Sequence, residues 1–306
     1  METFTFIVSD KDEKERLDKY LSSQMPNTTR SFLQKLIKEK NVLVNGQVQK
    51  SNYKLKSAQT VLVSIPPAES IAVVPEDLPL DILYEDEDIL IVNKPKGMVV
   101  HPSAGHVSGT LVNAVLHHCK DSLSGINGEI RPGIVHRIDK DTTGSLIICK
   151  NDVSHLSIAK QLKEHSITRI YRGIVSGKIR KEQGRIENNI GRHPSDRKKM
   201  AVVSKAGKTA VTNYKVLKQW NQAAYVEFRL ETGRTHQIRV HMASIGHPLL
   251  GDTVYGNSKN PYKLTGQTLH AMTIGLEHPR SGEYIEVSAP LPDYFQSLIK
   301  KFDNIQ

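Results

Sequence analysis

GIVHRIDKDTTGSLIICK, residues 133–150, decides how the rest of the chain is read. It closes on SLIIC (145–149), a short unbroken apolar run of the kind a fully buried strand shows. Just ahead of that run stand His136, Arg137, Asp139, Lys140 and Asp141, five ionisable residues within six positions. A strand alone does not require such a cluster at its mouth. The sequence therefore poses a chemical question there: what does a carboxylate do among cations at the end of a buried strand?

Working outward, DILYEDEDILIVNKPKGMVVHP (81–102) holds two strand-like runs, the second stopping at Asn93-Lys94-Pro95. TLVNAVLHHC reads as a helix capped by Ser108 or Thr110, HLSIAKQLKEHSI as a helix, and RIYRGIVSGKI as a strand. AAYVEFRLET is a strand followed by Gly233-Arg234 and a helix, THQIRVHMASIG, with Gly246 as its C-terminal cap. EYIEVSAPLP is the last strand and DYFQSLIKKF the last helix. Strands and helices do not alternate regularly. The expected class is α+β, with a mixed, largely antiparallel sheet and flanking helices.

Toward the N-terminus the pattern changes. METFTFIV alternates as a short strand, and Leu17, Tyr20 and Leu21 mark an amphipathic helix that ends near Pro26. Thr28 or Thr29 caps a second helix, RSFLQKLIKEK, whose Phe32, Leu33, Leu36 and Ile37 are expected inward while Arg30, Lys35 and Lys38 fall outside the apolar face. VLVNGQVQK is a hairpin turning at Asn45-Gly46, and QTVLVSIP is a further strand. PPAESIAVVPEDLP (66–79), with four prolines, reads as an extended linker. The expected organisation is a small domain over 14–66, a linker over 67–79 and a larger domain over 80–302.

Charge placement points to a polyanionic partner. The net formal charge is +10 and the isoelectric point near 9.4. Seven basic residues between Arg30 and Lys56 face Glu39 alone, and six between Arg192 and Lys208 face Asp196 alone. Acidic residues gather elsewhere, around Glu85 to Asp88. Segregated Lys and Arg gain affinity by displacing counterions from phosphates. A mean hydropathy of −0.39 and the lack of a long apolar run exclude a membrane-spanning helix, and METFTFIVSD lacks a signal-peptide pattern. Two cysteines, Cys119 and Cys149, build neither a disulfide framework nor a thiolate zinc site, so the expectation is a reducing cytoplasm.

Thirteen histidines invite a metal, but their spacing does not support one. His236 and His241 lie about 140° apart around a helix, and His117 and His118 are adjacent. No compact cluster of ligands is visible in sequence, and no phosphate-cradling glycine loop occurs, so neither a metal nor a nucleotide cofactor is expected.

RPGIVHRIDKDTTGSLIICK resembles the signature of the RluA/RluD-type ribosomal large subunit pseudouridine synthases, in forms most similar to the RluD subgroup. NKPKGMVVHP, RIYRGIV and LETGRTHQIRVHMASIGHPLLGD support it in order, together spanning most of residues 80–256. Many relatives have Thr-Ser-Gly where this chain has Thr142-Thr143-Gly144, which keeps a hydroxyl. RLDKYL (16–21), TRSFLQKLIKEKNVLVNG (29–46) and the strand closing at Ile65 resemble the alpha-L RNA-binding module first known from ribosomal protein S-four.

The resemblance implies isomerisation of uridine to pseudouridine in large-subunit (23S) ribosomal RNA or a pre-ribosomal particle, without cofactor or metal; a monomer is expected. It assigns the catalytic carboxylate to Asp139, its ion-pair partner to Arg239 and the stacking tyrosine to Tyr171, whose hydroxyl can also take the C5 proton. Arg137 fills the space the extruded base leaves, Arg30, Lys35 and Lys38 bind RNA, and Lys94 and Pro95 shape the pocket floor. His136 is expected to be structural. Whether Asp139 forms a covalent adduct or removes a sugar proton stays open. Two rival readings are a non-catalytic ribosome-assembly RNA binder of the same fold and a metal-dependent nuclease.

Overall fold

The computed structural model describes residues 2–25, 28, 30–65, 73–103, 105–120, 122–126, 131–196, 199–204, 207–256 and 261–305. They fall into two compact units, 1–70 and 71–306.

The first unit runs β1 (Glu2–Ile7), α1 (Leu17–Gln24), α2 (Arg30–Lys38), β2 (Val42–Val44), β3 (Gln47–Val48) and β4 (Thr60–Ile65). Its sheet has the order β1-β4-β2-β3, every pair antiparallel. β1 pairs along its whole length with β4, so this unit takes in residues ahead of position 14. Asn45 and Gly46 both have positive φ, +48° and +75°, as a tight two-residue hairpin turn requires. Leu17, Tyr20 and Leu21 of α1 meet Leu33, Leu36 and Ile37 of α2 over Val42, Val44, Val61 and Val63. Phe32, expected inward, is instead 38% exposed. It sits about 100° around the helix from Leu33, at the edge of a stripe that Leu33, Leu36 and Ile37 already fill. Thr29, one of the two expected caps of α2, lies outside the described residues.

The second unit runs β5 (Ile82–Glu85), β6 (Ile89–Lys94), α3 (Leu111–Cys119), β7 (Thr143–Cys149), α4 (Asp152–Glu164), β8 (Thr168–Ser176), β9 (Gln183–Arg192), β10 (Met200–Val202), β11 (Lys208–Gln219), β12 (Ala223–Leu230), α5 (Gln237–Ser244), β13 (Leu269–Glu277), β14 (Tyr284–Ser288) and α6 (Asp293–Asp303). One ten-stranded sheet carries them in the order β10-β9-β11-β12-β8-β13-β7-β6-β5, with β14 against β13. Only the β13–β7 pair is parallel. The fold is α+β with a mixed, mainly antiparallel sheet.

β7 is buried at all seven positions because both of its faces are covered. Leu146 and Ile148 join the core of α3, with Leu111, Val112 and Val115, while Ile147 and Cys149 join Ile158 of α4. A strand sandwiched in this way needs a continuous apolar run rather than alternation, which accounts for SLIIC. Thr110, not Ser108, caps α3, in a capping box with Asn113. Of the expected linker, residues 67–72 lie outside the described residues. The rest runs along α3: Asn113 Nδ2 donates to Val74 O, Glu76 N–H donates to Asn113 O, and Val73 is buried. No helix among the described residues is long and apolar enough to cross a membrane.

Candidate active site

The loop between residues 135 and 142 is held from several sides. His136 Nε2 accepts the Ile147 N–H at 2.9 Å, so this histidine fastens the loop to β7. Burial holds its pKa down to about 3, which leaves the ring neutral and able to accept. Lys94 is fully buried and its Nζ donates to the carbonyls of Pro95, Met98 and Lys140 at 2.8, 2.9 and 3.0 Å. Three acceptors match the three protons of an ammonium, although burial pushes the Lys94 pKa down to about 7. Gly97 N–H donates to the same Lys140 carbonyl, and Gln267 Nε2 donates to Thr142 Oγ1. Gly144 has φ +109°, and a Cβ there would lie 2.2 Å from Ala271 O, so no other residue lets β7 and β13 come this close. Beside it the Thr143 hydroxyl meets His270 Nδ1 at 2.8 Å, which uses the hydroxyl kept in the Thr-Thr-Gly variant.

On the facing side, α5 is set by Gln237. Its Nε2 donates to Val211 O and Thr212 Oγ1, while its Oε1 accepts from Thr232 Oγ1 and the Arg234 N–H. All its hydrogen-bonding capacity is used, and the start of α5 is fixed against β11. That fixes Arg239, whose Nη1 donates to Asp139 Oδ2 at 2.9 Å. Nε and Nη2 of the same guanidinium form a fork onto Asp252, at 2.7 and 3.0 Å. The Asp252 carboxylate is fully buried and also accepts the N–H groups of Val254 and Tyr255. Burial disfavours the Arg239 charge, but Asp252 and Asp139 outweigh it and raise its pKa. Burial likewise opposes the Asp252 charge, and Arg239 overcomes it.

Asp139 is the open end of this chain, with its side chain 19% exposed. Its second oxygen, Oδ1, lies 3.7 Å from His236 Nε2 and accepts no hydrogen bond among the described residues. Tyr255 completes the surroundings. Its hydroxyl accepts the Met200 N–H at 2.8 Å and lies 2.8 Å from His236 Nδ1, and its ring stands under the Arg239 guanidinium. Burial lowers the His236 pKa against the pull of Asp139.

Asp139, Tyr171, Arg137, Leu230, Arg234 and His236 line two adjoining lobes of one cleft, about 60 and 340 Å³. Arg239 lines the smaller lobe and Arg169 the larger. Burial raises the Tyr171 pKa, partly offset by Arg169, so its phenol is neutral at ordinary pH. Thus Asp139, Tyr171, Arg239 and Arg137 come together. Lys94 and Pro95 do not line the cleft; Lys94 holds the loop from behind through the Lys140 carbonyl, and Pro95 offers its own carbonyl to Lys94. Asp252, Tyr255, His236 and Gln237 went unassigned in the sequence. The signal for two of them is the short spacing from Asp252 to Tyr255 directly after the Arg239 helix.

In the first unit, Asp18 is fully buried and receives Arg16, Arg30 (2.8 Å) and Gln34 (2.7 Å). Burial pushes its pKa up, but these donors outweigh it and hold it at about 2. Arg30 is therefore tied to a structural carboxylate, although its side chain remains 48% exposed. Lys38 borders an open basin with Arg16, Lys40 and Lys50, whereas Lys35 pairs with Glu39 at 3.7 Å. Among the described residues one trio could hold a metal ion: Asp86, Asp88 and His278. The fold brings it together across 192 positions, which no spacing in sequence reveals. The trio is already paired, His278 with Asp86 at 2.7 Å and Arg280 in a fork with Asp88.

Residues 88–244 match the family described as RNA pseudouridylate synthase, and residues 15–61 match the S4 domain. The chain is 48% identical to the RNA pseudouridine synthase YlyB of Bacillus subtilis over 98% of each chain. It is 46% identical to the ribosomal large subunit pseudouridine synthase D of Zymomonas mobilis over 93% of each. Among solved structures, human RNA pseudouridylate synthase domain containing 1 shares the fold, with a TM-score of 0.58 at 23% identity over 78% of this chain and 98% of that one. A buried ion-pair chain that ends on one accessible carboxylate, within a matching sequence and fold, places this protein in the RNA pseudouridylate synthase family of isomerases, with an S4 domain at its N-terminus.

Proposed function

We propose that the protein isomerises uridine to pseudouridine in large-subunit (23S) ribosomal RNA, with Asp139 as the catalytic carboxylate. One observation carries this reading. Arg239 forks onto buried Asp252 and still reaches Asp139 Oδ2, which orients Asp139 and turns its Oδ1 to the cleft. The name of the Zymomonas relative supports ribosomal RNA as the substrate, and the basic basin of the S4 domain supports an RNA partner.

The reaction breaks the C1′–N1 bond, turns the uracil, joins C1′ to C5 and releases the C5 proton. No electrons enter or leave. Oδ1 is the oxygen that works, either by adding to the nucleotide or by taking a ribose proton, because Oδ2 is held by Arg239. The uridine must leave its stack, at a cost of a few kcal/mol. Stacking on Tyr171 returns about 1–3 kcal/mol of it, and Arg137 at the mouth occupies the vacated position in the RNA. Lys38 and its neighbours bind phosphates elsewhere on the substrate.

The test uses large-subunit ribosomal RNA and transfer RNA transcribed with tritium at uridine C5. The expected result is release of tritium from the ribosomal RNA by the full-length protein, at uridines that are unmodified in a strain lacking the gene. Release from transfer RNA alone would overturn the ribosomal assignment. Binding without any release would favour the assembly-factor reading.

A further inference from the structure

Arg169 has no task in the mechanism above, yet it is placed beside the reacting groups. It lies two residues before Tyr171 on β8, so both side chains emerge from the same face of the strand. It lines the larger lobe of the cleft with Arg137 and Arg234. Its Nη2 donates to the Glu231 carbonyl at 3.1 Å, while its Nε is buried with no partner. Among the described residues no carboxylate stands within ion-pair distance of Arg169, Arg137 or Arg234; the one in the lobe, Asp139, is taken by Arg239.

Gly233 lies against the guanidinium, where a Cβ would come within 2.6 Å of Arg169 Nη1. The charge is disfavoured where it stands, first by burial and further by Arg234, so an anion entering the lobe would relieve it. A partly buried arginine in a cavity of about 340 Å³ that Arg137 and Arg234 also line, with no carboxylate paired to any of the three among the described residues, is complementary to an anion.

We propose that Arg169 and Arg234 form a phosphodiester subsite that grips one of the two phosphates flanking the extruded uridine. The inference rests on the proposed RNA uridine activity and deepens it. An RNA substrate brings this anion with every nucleotide. With the base on Tyr171 and the ribose at Asp139, a phosphate of the same nucleotide is the nearest anion that can enter the lobe. Held there, it would fix the sugar against Oδ1, and only a nucleotide already out of the stack could supply it.

The experiment compares a ribosomal RNA stem-loop that the wild type modifies with two versions of it. Each carries a single uncharged methylphosphonate, on the 5′ or on the 3′ side of the target uridine. For the wild type, one of the two should cost about 10- to 100-fold in kcat/KM, the scale of a charge-assisted pair. Arg169→Gln should lose a similar factor on the native RNA, yet lose less than about 3-fold more on that methylphosphonate. Arg169→Lys, which keeps the charge, should retain the sensitivity and covers the case in which the Gln variant does not fold. Indifference of the wild type to both methylphosphonates, or full multiplication of the two losses, would overturn the subsite. Wild-type turnover of the native stem-loop tests the activity by itself. Should that turnover be absent, the same comparison read as dissociation constants still decides whether Arg169 binds that phosphate.

Discussion

Asp139 and Arg239 stand 100 positions apart in the chain and 2.9 Å apart in the fold. The contact unites the loop ahead of β7 with the first turn of α5. It leaves one carboxylate oxygen bound and the other open. Asp139→Asn keeps the shape and removes the charge. RNA binding should persist within a few-fold while tritium release from C5-labelled RNA disappears. Appreciable release by the Asn variant would remove Asp139 from the chemistry.

Asp252 should matter more for stability than Asp139, although neither the charge nor the residue type differs. Asp252 is fully buried and paired in a fork, so Asp252→Ala strands the Arg239 guanidinium in the interior. The expected cost is about 3–5 kcal/mol. Asp139→Ala, at the exposed end of the chain, should cost on the order of 1 kcal/mol. Denaturant melts of the two variants check the order, and equal losses would contradict a pair of unequal depth.

Much of this was legible in sequence, and the illegible parts have physical reasons. The run SLIIC announced a strand covered on both faces, and Thr110, Asn45-Gly46 and Gly246 marked their own turns and caps. β9 escaped because only Ile186 and Ile190 of its ten residues are buried. β13 escaped for the opposite reason: buried His270, Thr273 and Gly275 interrupt its apolar pattern with groups satisfied only by tertiary partners. Gln237 carries no local signal, because its amide nitrogen is taken up by Val211 and Thr212 on β11, and the spacing from Asp252 to Tyr255 does not reveal the fork from Arg239. Arg30 looked like a free surface cation, since its buried partner Asp18 lies a helix away.

The basic residues of the S4 domain should separate by the same logic. Lys38→Ala leaves the core untouched and should lower the slope of RNA affinity against salt by about one unit, with no change in melting. Arg30→Ala should lower stability as well, because it withdraws a donor from Asp18. Deleting the domain should flatten the salt slope further. An unchanged slope for Lys38→Ala and for the deletion would leave the basin a solvated face.

Three histidines make the catalytic unit sensitive to acid. Burial holds His101 and His241 down to about 4 and His136 down to about 3. Between those values and the ordinary histidine value near 6.5, the unfolded chain binds protons that the folded chain does not. The stability they confer is therefore complete above about pH 6.5 and drains as the pH falls toward 4, by about 1–2 kcal/mol per histidine at pH 5. His136→Gln can offer an amide oxygen to the Ile147 N–H and cannot be protonated there. Its melting temperature should drop less than that of the wild type between pH 7 and pH 5, and an identical drop would exclude His136 as a source of the acid limb.

Tyr171 can act in two ways, as a platform for the base and as an acceptor for the C5 proton, and substitution separates them. Tyr171→Phe keeps the ring, so capture of the extruded uridine should be largely intact. If the oxygen takes the proton, as the phenolate formed when the phenol gives up its own, turnover should fall by about 10²–10⁴, the usual contribution of a positioned base. The RNA would then stall with the base rejoined through carbon and its C5 proton still in place. Arg169, on the same face of β8, lowers the cost of charging this phenol, so Arg169→Gln should shift the alkaline side of the rate profile toward higher pH. Tyr171→Leu removes the ring too and should weaken binding of the flipped base. A purely packing role makes the opposite forecast. Tyr171 abuts the cores on both sides of β8, so the Phe variant would be nearly silent, and the Leu variant would lower the melting temperature without altering the chemistry. Single-turnover rates and melting curves of both variants decide between them: a Phe variant that turns over at the wild-type rate leaves Tyr171 as platform alone.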